Sequence, residues 1–342
     1  MKQLRFFMFS FFVLNYISVS GQSGGNAVYN FLNLQGSAHA AALGGNAITS
    51  YDEDLSLVYQ NPALLQRAMH NHLALNIAGI KGGIKFGDVA YARSYDKAGI
   101  YAVNLHYISY GDFDRRTIEN EKVGEFSAGE YALSFSWSKP LDSNLFIGAS
   151  LKGIFSDMDE SSSAGIGADV GLTWIHKENG WTASIVAKNM GAQISTYYNE
   201  REKLPFEIQA GISKKLKNAP FRMSLIAQQL QKWDITYIDP SASTIDPLTG
   251  EQQVDDITFL DKLTRHLILN TEIIFSKGFQ VRLGYNFLRR AELGFEQRRG
   301  MAGFTGGFGV KVNRFQLSYA RTVFNRAGGI NNFSIATNLS SF

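Results

Sequence analysis

Six histidines are the side chains of this sequence best suited to acid and base chemistry, and no cysteine accompanies them. They are His39, His70, His72, His106, His176 and His266. The lack of cysteine excludes a thiol nucleophile, a cysteine-ligated metal and any disulfide. A surface lipase or deacylase would need a serine nucleophile beside a histidine base. His106 and His266 are the candidate bases, and Ser109 and Ser127 the candidate nucleophiles. Nothing in their spacing favours such a pair over polar side chains that hydrogen-bond one another, so we predict no enzyme.

Two further groups of side chains offer metal-ligating atoms. His70 and His72 are two residues apart and would share one face of a strand, but no third ligand is evident. The oxygens of Asp157, Asp159 and Glu160 could bind Ca²⁺, although they lack the spacing and the glycine of a known calcium loop. The pattern favours a polar pair and a solvated loop, so we predict no cofactor and no metal.

The composition of the 342 residues excludes disorder over most of the length, since only 18% are charged while 13% are aromatic and 33 are glycine. Lys2 and Arg5 precede an apolar run over 6–16, and Ser18 and Ser20 precede Gly21. This pattern predicts a signal peptide over 1–20 and therefore export. Its removal lowers the formal charge of +3 by two, which leaves no global basic field for nucleic acid.

Beyond residue 70 the sequence alternates between apolar and small or polar residues, with the period of two that is typical of a β-strand. In one such segment Tyr131, Leu133, Phe135 and Trp137 alternate with Ala132, Ser134, Ser136 and Ser138. Aromatic faces opposite polar faces fit a barrel with lipid outside and a polar or small-residue interior.

Fourteen segments follow this pattern. They are 71–80, 83–92, 99–110, 126–138, 143–156, 163–175, 181–190, 205–215, 220–230, 265–276, 279–289, 303–312, 314–324 and 331–341. Most are near the length of about 9 to 11 residues that a tilted strand needs to cross a bilayer. Tight turns alternate with longer connections, of which 231–264 is the longest, as in outer-membrane barrels. The sequence therefore predicts an all-β membrane protein, a 14-stranded antiparallel outer-membrane β-barrel over 71–342.

The segment 21–70 does not alternate and is predicted to form a short, partly helical plug in the lumen. Ser37 can cap an alanine-rich helix that ends at Gly44 and Gly45. The motif Asn61-Pro62-Ala63 follows. Small side chains would let this backbone pack against inward-facing Gly, Ser and Ala. A periplasmic arm is the alternative.

The plug segment also carries a family resemblance. The stretches GSAHAAALGG and DEDLSLVYQNPALL resemble the N-terminal signature of FadL-like outer-membrane proteins of the Bacteroidetes. Further stretches, such as GEFSAGEYAL, LPFEIQAGISKKLKNAPFRMSL and NNFSIATNLSSF, extend the likeness to a barrel of the type IX secretion system. The resemblance implies a plugged 14-stranded barrel with a non-enzymatic role in a surface attachment complex. The implied partners are the related barrel PorV, the sortase-like PorU and PorZ, which trim exported cargo and link it to lipopolysaccharide.

Two predicted external loops carry candidate recognition residues. Arg289, Arg290, Arg298 and Arg299 flank one loop, and their guanidinium groups suit phosphates or acidic partners. They would equally meet the lipopolysaccharide phosphates around the barrel rim or pair with nearby glutamates.

The loop 231–264 holds Trp233, Tyr237, Phe259 and Leu260, and exposed aromatics there favour a docking surface or a lid over the mouth. Two functions therefore follow: a scaffold that docks surface partners, or a FadL-like channel for hydrophobic small molecules. A channel for such molecules needs an apolar path, whereas the predicted inward residues are mostly polar, which favours the scaffold.

Overall fold

The computed structural model describes residues 27–341, except 81, 96–98, 199, 237–243, 246–251, 254–256, 294–299 and 326–327. The predicted signal peptide over 1–20 lies outside the described residues. Tyr237, Arg298 and Arg299 also lie outside them. Within these ranges, no helix has both the length and the apolar character to cross a membrane.

Fourteen antiparallel strands close into one barrel. They are β1 His72–Gly79, β2 Lys85–Tyr95, β3 Gly99–Arg116, β4 Lys122–Pro140, β5 Leu145–Met158, β6 Ser161–His176, β7 Trp181–Ser195, β8 Glu207–Lys215, β9 Phe221–Ala227, β12 Leu267–Ser276, β13 Phe279–Asn286, β14 Phe304–Val312, β15 Phe315–Asn325 and β16 Gly328–Asn338. The pairing of β1 with β16 closes the barrel. Two short strands, β10 Thr244–Ile245 and β11 Gln252–Gln253, pair with each other. The predicted fold class is confirmed.

The few helices lie inside the barrel or at its ends. The α-helices are α1 Ala38–Ala42, α2 Phe259–Arg265 and α3 Phe287–Leu293, and the 3₁₀ turns are Asn30–Asn33, Leu55–Leu57, Pro62–Leu64, Arg67–Met69 and Leu339–Ser341. Most of residues 27–70, which we call the lumen segment, are buried. Helix α1 packs its alanines against Ala320 on the inner face of β15.

The two faces of each strand follow the predicted alternation. On β4, Leu133 is 56% exposed and Phe135 is 50% exposed, while Ser134 and Ser136 are 2% and 3% exposed. Because the lumen segment covers the inner face, the polar side chains are buried and the aromatic ones lie on the outer surface. Polar side chains inside and apolar side chains outside are the reverse of the arrangement in a soluble protein, and they suit a wall that faces lipid.

The longest strands extend further than the sequence predicts. Strands β3 and β4 reach Arg116 and Lys122 instead of ending at 110 and beginning at 126. The hairpin continues because Phe113 stacks on Phe126 at 5.3 Å between ring centres. The prediction of a long connection after β3 was therefore wrong, since pairing extends up to a tight turn over 117–121.

Candidate functional site: a closed lumen and its outer mouth

The Asn61-Pro62-Ala63 motif rests on two inward-facing glycines of the wall. The Asn61 side chain accepts from the Ala63 N–H at 2.9 Å and donates to Thr173 Oγ1 of β6 at 2.9 Å. A Cβ at Gly148 would lie 2.2 Å from the Pro62 carbonyl carbon, and one at Gly171 would lie 2.1 Å from Asn61 Oδ1. Only glycine at these positions allows the motif to approach the wall this closely.

The end of helix α1 meets the opposite wall in the same manner. Ser37 caps the helix, and Gly44 and Gly45 follow it with φ of 82° and 92°, a left-handed conformation that favours glycine. The Gly44 N–H donates to Thr305 Oγ1 at 2.9 Å. A Cβ at Gly284 would lie 2.3 Å from the Gly44 nitrogen. The wall is thus shaped to the backbone of the lumen segment on two sides.

Five buried ionisable side chains and the partly exposed Asp52 tie the lumen segment to the wall. We call them the latch cluster: His39, Asp52 and Asp54 from the lumen segment, and Arg222, Glu272 and Arg282 from strands β9, β12 and β13. Glu272 lies at the centre, 2.8 Å from Arg222 Nε and 3.2 Å from His39 Nε2. Arg222 also pairs with Asp52 across the lumen. The cluster therefore joins three strands to two separate parts of the lumen segment.

The protonation of His39 follows from its contacts. Its Nδ1 lies 2.8 Å from Asp54 Oδ2, and its Nε2 lies 3.2 Å from Glu272 Oε2. A neutral imidazole donates from one nitrogen only, so a carboxylate at each nitrogen requires the imidazolium. The three positive charges of His39 and the two arginines then balance the three negative charges of the carboxylates in the latch cluster.

The same cluster contains three ligand types that metals use. Single atoms of His39, Asp52 and Glu272 lie within 4.8 Å of one another. The Arg222 guanidinium already lies against both carboxylates, so the positive charge that a metal would supply is present. The arrangement is that of an ion-pair network.

A cavity of about 290 Å³ opens above the lumen segment at the outer mouth, beneath helix α3. Its apolar lining includes Leu34, Phe86, Leu288, Phe324 and Ile330. Its polar lining includes Gln228, Asn286, Arg289 and Asn332. A small cavity with an apolar body and a few polar groups has the composition of a small-molecule site.

Arg289 supplies the positive charge of this mouth cavity, whose lining also includes Glu292. Its guanidinium lies over Gly45 and 5.8 Å from the Phe324 ring centre. Burial lowers the pKa of Arg289 to about 10, although the negative charge of Glu292 acts to raise it. Its Nη1 is buried and has no hydrogen-bond partner among the described residues. A buried, unpaired donor of this kind favours an anionic or strongly accepting ligand.

The other predicted recognition residues are dispersed. Arg290 donates to the carbonyl of Gly300 at 2.9 Å and so joins the two ends of its loop, whereas Arg289 points into the mouth. Trp233 is 52% exposed, and its ring lies 5.4 Å from the Phe259 ring and 5.8 Å from that of His266. The predicted plug residues all lie in the lumen segment and contact the residues around them as described above. They are Gly44, Gly45, Asn61, Pro62 and Ala63.

The candidate bases have structural contacts. His106 Nε2 lies 3.1 Å from the Phe31 carbonyl, and its ring stacks on Tyr59 at 4.5 Å. Both nitrogens of His266 lie within 3.0 Å of backbone carbonyls, those of Gln228 and Trp233. In the acidic loop considered for Ca²⁺, Asp159 and Glu160 pair with Arg115.

A closed 14-stranded barrel with an aromatic outer surface, a polar interior and an N-terminal segment in its lumen defines an outer-membrane barrel of the FadL fold. The toluene transporter TodX of Pseudomonas putida is similar, with 13% identity, a TM-score of 0.51, and coverage of 89% of this chain and 97% of that one. The monoaromatic hydrocarbon channel CymD has 14% identity, a TM-score of 0.50, and coverage of 91% and 98%. For a Pseudomonas aeruginosa FadL homologue the identity is 12%, the TM-score 0.46 and the coverage 87% and 97%. The sequence matches no protein-family model and no curated protein.

Proposed function

We propose that this protein binds a hydrophobic small molecule in the mouth cavity and passes it through the barrel, past the lumen segment. The observation that carries the proposal is the apolar cavity at the outer mouth with the unpaired Arg289 Nη1 in its wall. Two proteins that share the fold are the toluene transporter TodX and the monoaromatic hydrocarbon channel CymD. Their fold supports the same class of cargo here.

The lining indicates which hydrophobic molecules bind best. Leu288, Phe324 and Phe86 provide apolar contact, while the Arg289 guanidinium provides one charged donor. The volume is near the lower end of the range for ligand sites, which begins at about 300 Å³. A short apolar chain or ring with one anionic group satisfies both parts of this lining.

Passage beyond the cavity requires the lumen segment to move. Many inward-facing side chains below the mouth are polar and bond to that segment, as Asn270 Nδ2 does to the Leu43 carbonyl at 3.3 Å, while apolar ones such as Val186 and Ile226 pack against it. Lys152 and Asp169, a further inward pair, lie 2.7 Å apart on β5 and β6. A hydrophobic molecule finds no apolar path among these described residues, so the lumen segment acts as a gate.

Arg289→Met is expected to weaken the binding of dodecanoate by tenfold or more, because the carboxylate loses its one charged donor. Binding of the neutral dodecanol should change little, since the apolar lining is intact. Isothermal titration of the purified barrel in amphipol measures both affinities. Arg116→Met, which alters an exposed arginine of the β3–β4 hairpin, is the matched control. Equal dodecanoate affinity in Arg289→Met and wild type would remove the mouth cavity from the proposal.

A second candidate function is that of a scaffold in the type IX secretion attachment complex, whose barrel PorQ several stretches of the sequence resemble. It is favoured by an aromatic ledge at the outer end, formed by Trp233, Phe259 and Leu260, which are 52%, 65% and 66% exposed. Exposed apolar clusters of this kind commonly mark protein interaction sites. The proposed partners are PorZ, PorU and a PorV-like barrel, together with lipopolysaccharide.

Trp233→Ala combined with Phe259→Ala is expected to reduce co-purification of these surface partners several-fold, because large aromatic side chains dominate interface energies. Pull-down from outer membranes with quantitative mass spectrometry is the measurement. Phe113→Ala, an exposed aromatic of the β3–β4 hairpin, is the control. Deletion of most of 231–264 should leave a heat-modifiable barrel with the same loss. Partner recovery at the wild-type level in both variants would exclude the ledge as a docking surface. Arg298→Glu with Arg299→Glu extends the same assay to the arginine loop.

A further inference from the structure

An arginine in the external half of β15 faces outward from the lipid-exposed wall. Arg321 lies on β15 between Ala320 and Thr322, which are 0% and 4% exposed and face the lumen. Alternation along the strand therefore places Arg321 on the outer face, where its side chain is exposed. An arginine on the lipid face destabilises a barrel by an amount that grows with depth, so its charge requires compensation.

The neighbours of Arg321 leave that charge uncompensated. Its Nη1 donates to Asn331 Oδ1 at 2.8 Å, and the Tyr319 hydroxyl donates to the same oxygen at 2.9 Å. Among the described residues no carboxylate forms an ion pair with it. The Asn331 amide oxygen thus orients the guanidinium without neutralising it, and its other N–H donors are available to an anion.

An apolar groove of about 500 Å³ begins beside this arginine on the same outer face. Gly306, the cross-strand partner of Arg321, forms its upper end because it contributes no side chain. The groove then follows the outer face of β13 and β14 towards their periplasmic ends, between Val281, Phe308, Phe279 and Val310. A cationic upper end above an apolar channel complements an amphiphile whose head group lies on the external side.

We propose that this groove is a binding site for the phosphorylated lipid anchor of lipopolysaccharide, with a phosphate at Arg321 and one acyl chain over Gly306. The guanidinium geometry suits bidentate phosphate binding. Arg321 is four residues from the external end of β15 and six from its periplasmic end, so the head group belongs to the outer leaflet. The length from Gly306 to Val310, about 13 Å along the strand, accommodates part of an acyl chain.

Two variants test the two halves of the site. Arg321→Gln removes the charge and keeps a polar side chain next to Asn331. Gly306→Leu fills the groove, and it should fold because the nearest atom to a Cβ there is Leu283 Cδ2 at 3.4 Å. Arg93→Gln is the matched control, since Arg93 is an exposed arginine near the periplasmic end of β2. Heat-modifiable migration shows that each variant is folded.

The probe is purified bis-phosphorylated lipid A, added to the delipidated barrel in detergent and counted by native mass spectrometry. We expect about tenfold weaker retention in Arg321→Gln and in Gly306→Leu, as for the loss of one charge-assisted hydrogen bond, and no change in Arg93→Gln. Dephosphorylated lipid A should bind wild type weakly and be indifferent to Arg321→Gln.

Equal retention of lipid A in wild type and Arg321→Gln would overturn the proposal. Phosphatidylglycerol bound as tightly as lipid A, with the same dependence on Arg321, would show an unselective anionic lipid site and overturn it as well. A dimer that Gly306→Leu dissociates, without any change in lipid retention, would assign the groove to a second copy of the chain.

Discussion

Replacement of Glu272 by alanine is expected to release the lumen segment from the barrel wall. Glu272 is fully buried and lies against Arg222, Arg282 and His39. Its removal leaves three cationic groups facing the two remaining carboxylates, Asp52 and Asp54. Removal of one partner from a buried ion-pair network typically lowers the free energy of unfolding by about 3 to 5 kcal/mol. Because this cluster joins the wall to the lumen segment, the lost stabilisation weakens the attachment of the lumen segment to the wall.

The expected readout is protease cleavage within 27–70 that wild type resists, together with a lower denaturation midpoint. Glu125→Ala is the control, because Glu125 forms an exposed ion pair with Lys122 on the external hairpin and such pairs contribute little. Should Glu272→Ala and Glu125→Ala resist protease equally, the latch cluster would have no role in holding the lumen segment.

Gly148→Ala is expected to displace the Asn61-Pro62-Ala63 turn from the wall. The added methyl group would lie 2.2 Å from the Pro62 carbonyl carbon and 2.3 Å from the Ala63 nitrogen, both backbone atoms that cannot rotate away. Overpacking of this kind costs about 1 to 3 kcal/mol. Since the barrel strands remain paired, the displacement should open a path beside the lumen segment.

Single-channel conductance in planar bilayers measures this opening, and we expect Gly148→Ala to conduct where wild type is closed. Gly153→Ala is a matched control on the same strand, because no atom lies within 4 Å of a Cβ at Gly153. A closed Gly148→Ala barrel, or equal conductance in the two variants, would show that the turn does not seal the lumen.

Much of the fold follows from the sequence because its signals are local. Alternation such as that of Tyr131 to Ser138 fixes which face of β4 meets lipid, and the structure buries the serines as predicted. Strand ends are less predictable. The β3–β4 hairpin extends past the expected bilayer length because contacts between paired strands, such as Phe113 on Phe126, add stability that a single strand does not show.

The site was less accessible to sequence reasoning because its contacts join distant residues. His39 and Glu272 are 233 positions apart, and neither position alone predicts the other. A signal was nevertheless present: Arg222, Glu272 and Arg282 are charged residues at inward positions of adjacent strands, where charges need partners. The four arginines near 289–299 formed an apparent patch in sequence, yet Arg289 enters the mouth while Arg290 bonds to its own loop.

If the lumen segment gates passage of a hydrophobic molecule, as proposed, a disulfide between that segment and the wall should block the passage. The native chain has no cysteine, and a Cβ at Gly211 of β8 would lie 3.0 Å from Thr49 Cγ2 of the lumen segment, with no backbone atom closer than 3.4 Å. Thr49→Cys with Gly211→Cys should therefore form a disulfide after a small shift. Uptake of a radiolabelled hydrophobic acid into proteoliposomes is measured with the bond oxidised and reduced. We expect uptake only after reduction, whereas equal uptake in both states would show that the lumen segment is not a gate.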